Sequence, residues 1–195
     1  VSQRRFYALD IETTGLDVGG DLIIEVGAMV LDSDLKVVDT FDSTVYSSEL
    51  PDIVNYLHDS QDPSDKFVVK MHTENGLFAQ ALAEKKQAVD VASDLADFLV
   101  SHGVSKQDAV LGSSVHFDRE FLRDDYDFAK VDKIFSHRNI DVSSFVQMLA
   151  IRNPDDYQRM LDEVAADTNH RVLKCLDGSV RTLKWILENG LGGKK

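Results

Sequence analysis

The chain has 195 residues, 43% of them hydrophobic, with 11 glycines and three prolines. That composition suits one compact domain with a real core and excludes a disordered, collagen-like or disulfide-built protein. Acids outnumber bases 34 to 21, and the net charge of -13 argues against a basic groove that grips long nucleic acid through its phosphates. A short nucleic acid held in a pocket with metal ions remains compatible with that charge. The one cysteine, Cys175, forbids an internal disulfide and fits a reducing compartment. No run of about 18 apolar residues and no basic-then-apolar leader occurs. The expectation is therefore a cytoplasmic protein without membrane contact, or an organellar one whose leader is missing.

Residues 5–10 (RFYALD) are apolar-rich and extended, and they stop at the turn chemistry of Thr13, Thr14 and Gly15. Residues 22–31 (LIIEVGAMVL) are a β-branched run with partial alternation, and 37–47 repeats the pattern. Joined by short turns at 17–21 and 32–36, these predict a three-stranded antiparallel meander. Residues 49–66 hold two of the three prolines and many acids, and read as an insertion-like loop with one helical turn. From Glu74 onward helices dominate. Ala88, Val91, Ala92, Leu95, Phe98 and Leu99 form an amphipathic stripe that ends at Gly103. Residues 108–114 (DAVLGSS) read as a short buried strand, followed by a helix carrying Phe117, Phe121, Leu122 and Tyr126. HRNIDVS (137–143) is a fifth strand, and two helical stretches run from 144 to about 164. The last helix starts after 167–169 and carries Leu173, Leu176, Val180, Leu183 and Leu187 before Gly190. This order predicts an α/β domain with a mixed five-stranded sheet flanked by helices. With no repeat or low-complexity tract, residues 1–195 read as a single domain, with 191–195 (LGGKK) as a flexible tail.

Asp10 and Glu12 lie two apart at the end of the first strand, so their carboxylates share a face. Such a pair repels itself unless a cation lies between, and carboxylate-dominated sites favour Mg²⁺ or Mn²⁺. Alone, a D-x-E pair is an ordinary solvated strand end. Asp118, in GSSVHFDREFL, follows the short strand at a helix start, where an acid suits the helix dipole. His170 opens the last helix, where it is placed to accept a proton near neutral pH. Singly, each of these has an ordinary structural explanation.

In this order and setting the pieces resemble the DEDD superfamily of 3′-to-5′ exonucleases, of ribonuclease H-like fold, and the histidine resembles its DEDDh branch. The blocks ALDIETTGLD, IIEVGAMVLDSDL, GSSVHFDREFL, HRNIDVSS and the HR before the last helix are similar to the oligoribonuclease family over almost the whole chain, apart from 49–66 and the end. The resemblance implies a homodimer that degrades very short RNAs, dinucleotides above all, to mononucleotides with two divalent metal ions. It implies that Asp10 bridges the two ions, Glu12 holds the first, Asp118 supports the second, and His170 takes a proton from the attacking water. Leu16 matches an apolar wedge between the two bases. Phe67 stands where the family has a stacking tryptophan, and a phenyl ring still stacks, with less area. His72 and Ser114 match substrate contacts. Arg138 and Ser143 match residues that cap the 5′ phosphate of the partner subunit's substrate, and His137 stands where a tyrosine is common.

One position departs from the pattern. The family's last acid lies five residues after the histidine, and here that residue is Cys175. Lys174 is adjacent but cationic, and Asp177 points about 200° away around a helix. A thiol is neutral at pH 7 unless acidified, and it suits Mg²⁺ poorly. The expected function is a metal-dependent exoribonuclease on very short RNA, attenuated by Cys175. Two alternatives stay open: a DNA-directed proofreading-type exonuclease, and a module that binds short RNA without cleaving it.

Overall fold

A computed structural model describes residues 4–164 and 169–190. Strands β1 (Phe6–Thr13), β2 (Ile23–Leu31) and β3 (Val37–Thr44) form the antiparallel meander read from the sequence. Four helices follow: α1 (Leu50–Asp59), α2 (Pro63–Glu74), α3 (Leu77–Glu84) and α4 (Ala88–Ser101). Strand β4 (Val110–Gly112) then runs parallel to β1, and α5 (Val115–Asp124) and α6 (Ala129–Asp132) lead to β5 (Asn139–Asp141), parallel to β4. Helices α7 (Val142–Arg152), α8 (Pro154–Glu163) and α9 (Val172–Trp185) complete the order, with a π-helical turn at Ile186–Gly190. The sheet order is β3-β2-β1-β4-β5, a mixed five-stranded sheet as expected.

All nine residues of β2 are buried because helices cover both of its faces, which explains its near-continuous apolar run. Leu9, Ile11, Val26 and Val30 pack toward Val91, Leu95 and Leu99 of α4 and Phe121 and Leu122 of α5. Ala8, Met29 and Leu31 pack toward Val142 of α7 and Leu176, Val180 and Leu183 of α9. Strand parity therefore turns Asp10 and Glu12, in step with Ala8, to the α9 side. Each buried α9 leucine contributes about 1.5–3 kcal/mol, which holds that helix on the sheet. Gly27, paired with Asp10 across the strands, lets α9 come this close: a Cβ there would lie 2.5 Å from Val172 Cγ2.

Several expectations need correction. Residues 49–66 are not a loop but α1 and the start of α2. Pro51 and Pro63 occupy first turns, where a missing N–H costs no hydrogen bond, and Asp62 caps α2 by accepting from Ser64 N. Leu50 and Leu57 bury the apolar face of α1 against Leu77, Phe78 and Ile24. Helix α5 stops at Asp124, leaving Tyr126 outside it and 95% exposed. The fifth strand is shorter than 137–143, since Asp141 already caps α7 by accepting from Ser143 N. The expected cap at 167–168 and the tail at 191–195 lie outside the described residues.

Candidate active site

Asp10 and Glu12 stand at the carboxyl end of β1, and β4 ends beside them, so the helix that follows β4 delivers Asp118 to the same place. Asp118 is buried, and its Oδ1 accepts a 3.0 Å hydrogen bond from Ile11 N, between the two strand acids. Glu12 is buried opposite Glu25 of β2. Asp10 Oδ2 is buried with no hydrogen-bond partner among the described residues.

Burial pushes the Asp10 carboxyl well above the usual range, and neighbouring Asp118, Glu12 and Glu25 add to it. Burial likewise raises Glu12 to about 7, with Glu25 pushing the same way, and raises Asp118 against the Ile11 hydrogen bond. An orphaned carboxylate oxygen among three mutually repelling acids is what a divalent cation would satisfy, so Asp10, Glu12 and Asp118 suit such an ion by charge, while the donor atoms gathered within 4.8 Å of one another are those of Glu12, His170 and Cys175. The folded carboxyls hold protons that the unfolded chain releases near pH 4, so metal-free stability falls as pH rises from there to about 7. A divalent cation removes that penalty. Calorimetry should therefore show Mn²⁺ raising Tm more at about pH 8 than at about pH 5, whereas equal shifts would place no ion among these acids.

The other half of the site comes from the segment entering α9. His170 sits at φ 49, in the left-handed region, and Asn75 at the end of α2 holds it there. The Asn75 side-chain amide donates to the carbonyls of Asn169 (3.0 Å) and His170 (2.7 Å). Arg171 donates to both carboxylate oxygens of Glu25, the closest contact being 2.6 Å, and to Gln80 Oε1 at 2.7 Å. Val172 N also donates to Glu25 Oε2. Thus an acid only 1% exposed pins the start of α9 to β2. One turn in, the Cys175 thiol donates to Glu12 Oε1 across 3.7 Å. Burial and the Asp10 and Glu12 carboxylates push that thiol far up, so it is neutral at pH 7. Asp177 pairs with Arg181 at 2.9 Å, on the exposed side of α9.

The remaining expected residues spread around this centre. Phe67 is exposed, with its ring edge-on to His170 at 6.1 Å between centroids. Leu16, 75% exposed, follows the turn after β1. His72 is fully buried, with Nε2 3.1 Å from Thr13 O, and burial lowers its pKa to about 4, so it is neutral and braces the end of β1. Asp141 Oδ1 ties Ser114 to Ser143, accepting from Ser114 N, Ser143 N and Ser143 Oγ. His137 and Arg138 are exposed just before β5, and Asn139 is level with Tyr7 through Val110, so they lie two strands over and well short of Asp10. Sequence reading missed Glu25, Arg171, Asn75 and Asp141 as supports. Only Glu25 had a local signal, a lone acid inside an apolar strand.

Residues 7–174 match the Exonuclease (RNase T) family. The chain is 30% identical over 184 residues to the mitochondrial oligoribonuclease of Saccharomyces cerevisiae, covering 94% of this chain and 66% of that protein. It is 31% identical over 179 residues to an oligoribonuclease of Mycobacterium sp. strain KMS, covering 91% and 77%. Among solved structures it is similar to Escherichia coli exonuclease I in complex with a dA13 oligonucleotide (TM-score 0.61, 15% identity). It is also similar to product-bound exonuclease I (TM-score 0.65, 15% identity). It covers 94–95% of this chain in those comparisons and 40–43% of theirs, which shows a shared ribonuclease H-like fold. No helix among the described residues is long and apolar enough to cross a membrane. The exonuclease family is divalent-metal dependent, and this chain belongs to it, alongside the oligoribonucleases.

Proposed function

We propose that the protein is a metal-dependent 3′-to-5′ exoribonuclease that hydrolyses very short RNAs, dinucleotides above all, to nucleoside 5′-monophosphates. The observation that carries this reading is the convergence of Asp10, Glu12 and Asp118 at the end of β1 with His170 beside Glu12. Asp10, Glu12 and Asp118 hold two divalent ions, Mg²⁺ or Mn²⁺. When bound, these ions stabilise the charge that develops on the attacking and leaving oxygens. His170 accepts the proton of the water that attacks phosphorus, the bond from phosphorus to the 3′ oxygen breaks, and the departing 3′ oxygen takes up a proton from solvent. Leu16 and Phe67, both exposed at the rim, supply an apolar wedge and a stacking face for the two bases. Ser114 borders the bound nucleotide, whereas His72, wholly buried, acts only from behind, bracing the end of β1 through Thr13 O.

Arg138, His137 and Ser143 act from a second copy of the chain, capping the 5′ phosphate. The distance of Arg138 from its own site supports that arrangement, as does the apolar exposure of Met148 and Ile151 on α7 beside Ser143. A homodimer with one arginine per phosphate needs no basic groove, which suits a chain of net charge -13. A lone cysteine suits a reducing compartment, the cytosol or an organelle.

Turnover of a 5′-phosphorylated dinucleotide against a 20-mer, with Mg²⁺ and with Mn²⁺, tests the reading. A capped pocket should favour the dinucleotide by orders of magnitude, and His170→Ala should lower kcat by about 100- to 10,000-fold with KM little changed. Equal turnover of both lengths would point to a proofreading-type enzyme. Tight binding without turnover in either metal would make the chain a binding module.

A further inference from the structure

The donor set at Cys175 differs in kind from the carboxylates beside it. Glu12, His170 and Cys175 present one oxygen, one nitrogen and one sulfur atom, all within 4.8 Å of one another. A tetrahedral zinc ion with Zn–S about 2.3 Å and Zn–O about 2.1 Å spaces those two ligands about 3.6 Å apart. Cys175 Sγ and Glu12 Oε1 are 3.7 Å apart. Octahedral Mg²⁺ instead asks for oxygen ligands about 2.9 Å apart, and sulfur does not suit it. The backbone that carries the three donors is also held in place before any ion arrives. Asn75 fixes the His170 backbone, Arg171 and Val172 anchor the helix start to Glu25, and Glu12 sits on the central strand β1, paired with Glu25 of β2.

We propose that Glu12, His170 and Cys175 form a chelating site for a thiophilic divalent cation of the Zn²⁺ class, with the fourth position left to water. Binding releases the thiol proton to solvent and leaves sulfur ligated as thiolate. Resting on the exonuclease reading, the same site is a metal-sensitive brake: an ion so held takes the His170 nitrogen and the Glu12 oxygen away from hydrolysis. Zinc and magnesium then compete for Glu12, and their ratio sets the activity. Replacement of an acid by a thiol becomes a change of metal class rather than a simple loss of a ligand.

Because Cys175 is the only cysteine in the chain, any thiolate-to-metal absorption reports on this site alone. The test titrates the intact protein with Co²⁺ and follows the near-ultraviolet sulfur-to-cobalt band. The band should saturate at one equivalent, be displaced by Zn²⁺, and vanish in the near-isosteric Cys175→Ser. His170→Ala should keep the band but weaken Co²⁺ binding at least tenfold. Absence of the band in the folded wild type, or its survival in Cys175→Ser, overturns the site. Unchanged affinity in His170→Ala removes the histidine and overturns it as drawn. In the activity arm, one equivalent of Zn²⁺ should suppress Mg²⁺-supported dinucleotide hydrolysis at least tenfold in the wild type and much less in Cys175→Asp. Stimulation by zinc would overturn the brake. A protein that shows the cobalt band but hydrolyses nothing in any metal would leave the chelating site standing and sink the exonuclease reading instead.

Discussion

Replacing Cys175 by aspartate raises Mg²⁺-supported dinucleotide hydrolysis by about 10- to 100-fold, equivalent to roughly 1.4–2.7 kcal/mol off the barrier. The substituted carboxylate would occupy the first turn of α9, where Sγ now faces Glu12 Oε1 at 3.7 Å. It would supply a charged oxygen where a neutral thiol stands, and a hard cation gains most from that change. The same substitution adds a fourth acid to Asp10, Glu12 and Asp118, with Glu25 close behind. The metal-free variant should therefore melt lower than the wild type, and Mg²⁺ should raise its Tm by more. Cys175→Ser is the control, since it removes sulfur without adding charge and should leave the Mg²⁺-supported rate within a few-fold. An unchanged rate and an unchanged metal response in Cys175→Asp would mean that position 175 does not face the metal-binding acids.

Loss of the Arg171 guanidinium is the largest expected stability effect. Arg171→Ala would leave Glu25 almost wholly buried without its cation and close to Glu12 and Asp10. Breaking a buried pair in this way costs about 3–5 kcal/mol, because the remaining acid has no compensation. For a chain of this size that lowers Tm by roughly 6–20 °C, measurable by circular dichroism in EDTA. Replacing both partners, as Glu25→Gln with Arg171→Leu, should recover most of the loss, since the pair costs nearly as much to bury as it returns. A single-variant drop of under about 2 °C would mean that Glu25 is solvated in solution.

How far the sequence could be read follows from where each signal lies. The meander and the α4 stripe were visible because their periodicity is local, and the shared face of Asp10 and Glu12 follows from strand parity alone. The helices within 49–66 were hidden because a proline starts a helix as readily as it ends one, and only the burial of Leu50 and Leu57 decides between them. The placing of His170 beside Glu12 came from resemblance, since no local pattern links residues so far apart. Its supports were illegible for the same reason. The Asn75 amide meets a backbone carbonyl 95 residues away, and Arg171 meets Glu25 across 146 residues.

Those separations bear on synthesis. Ile11 meets Asp118 across 107 residues and Glu12 meets Cys175 across 163, so the centre closes only when both ends of the fold are available. A nascent chain emerges from its N-terminus, carrying the strand carboxylates long before the imidazole and thiol leave the ribosome. Contacts of such high contact order also form late and slowly. On the proposed mechanism, a growing copy would be inert toward RNA until α9 docks.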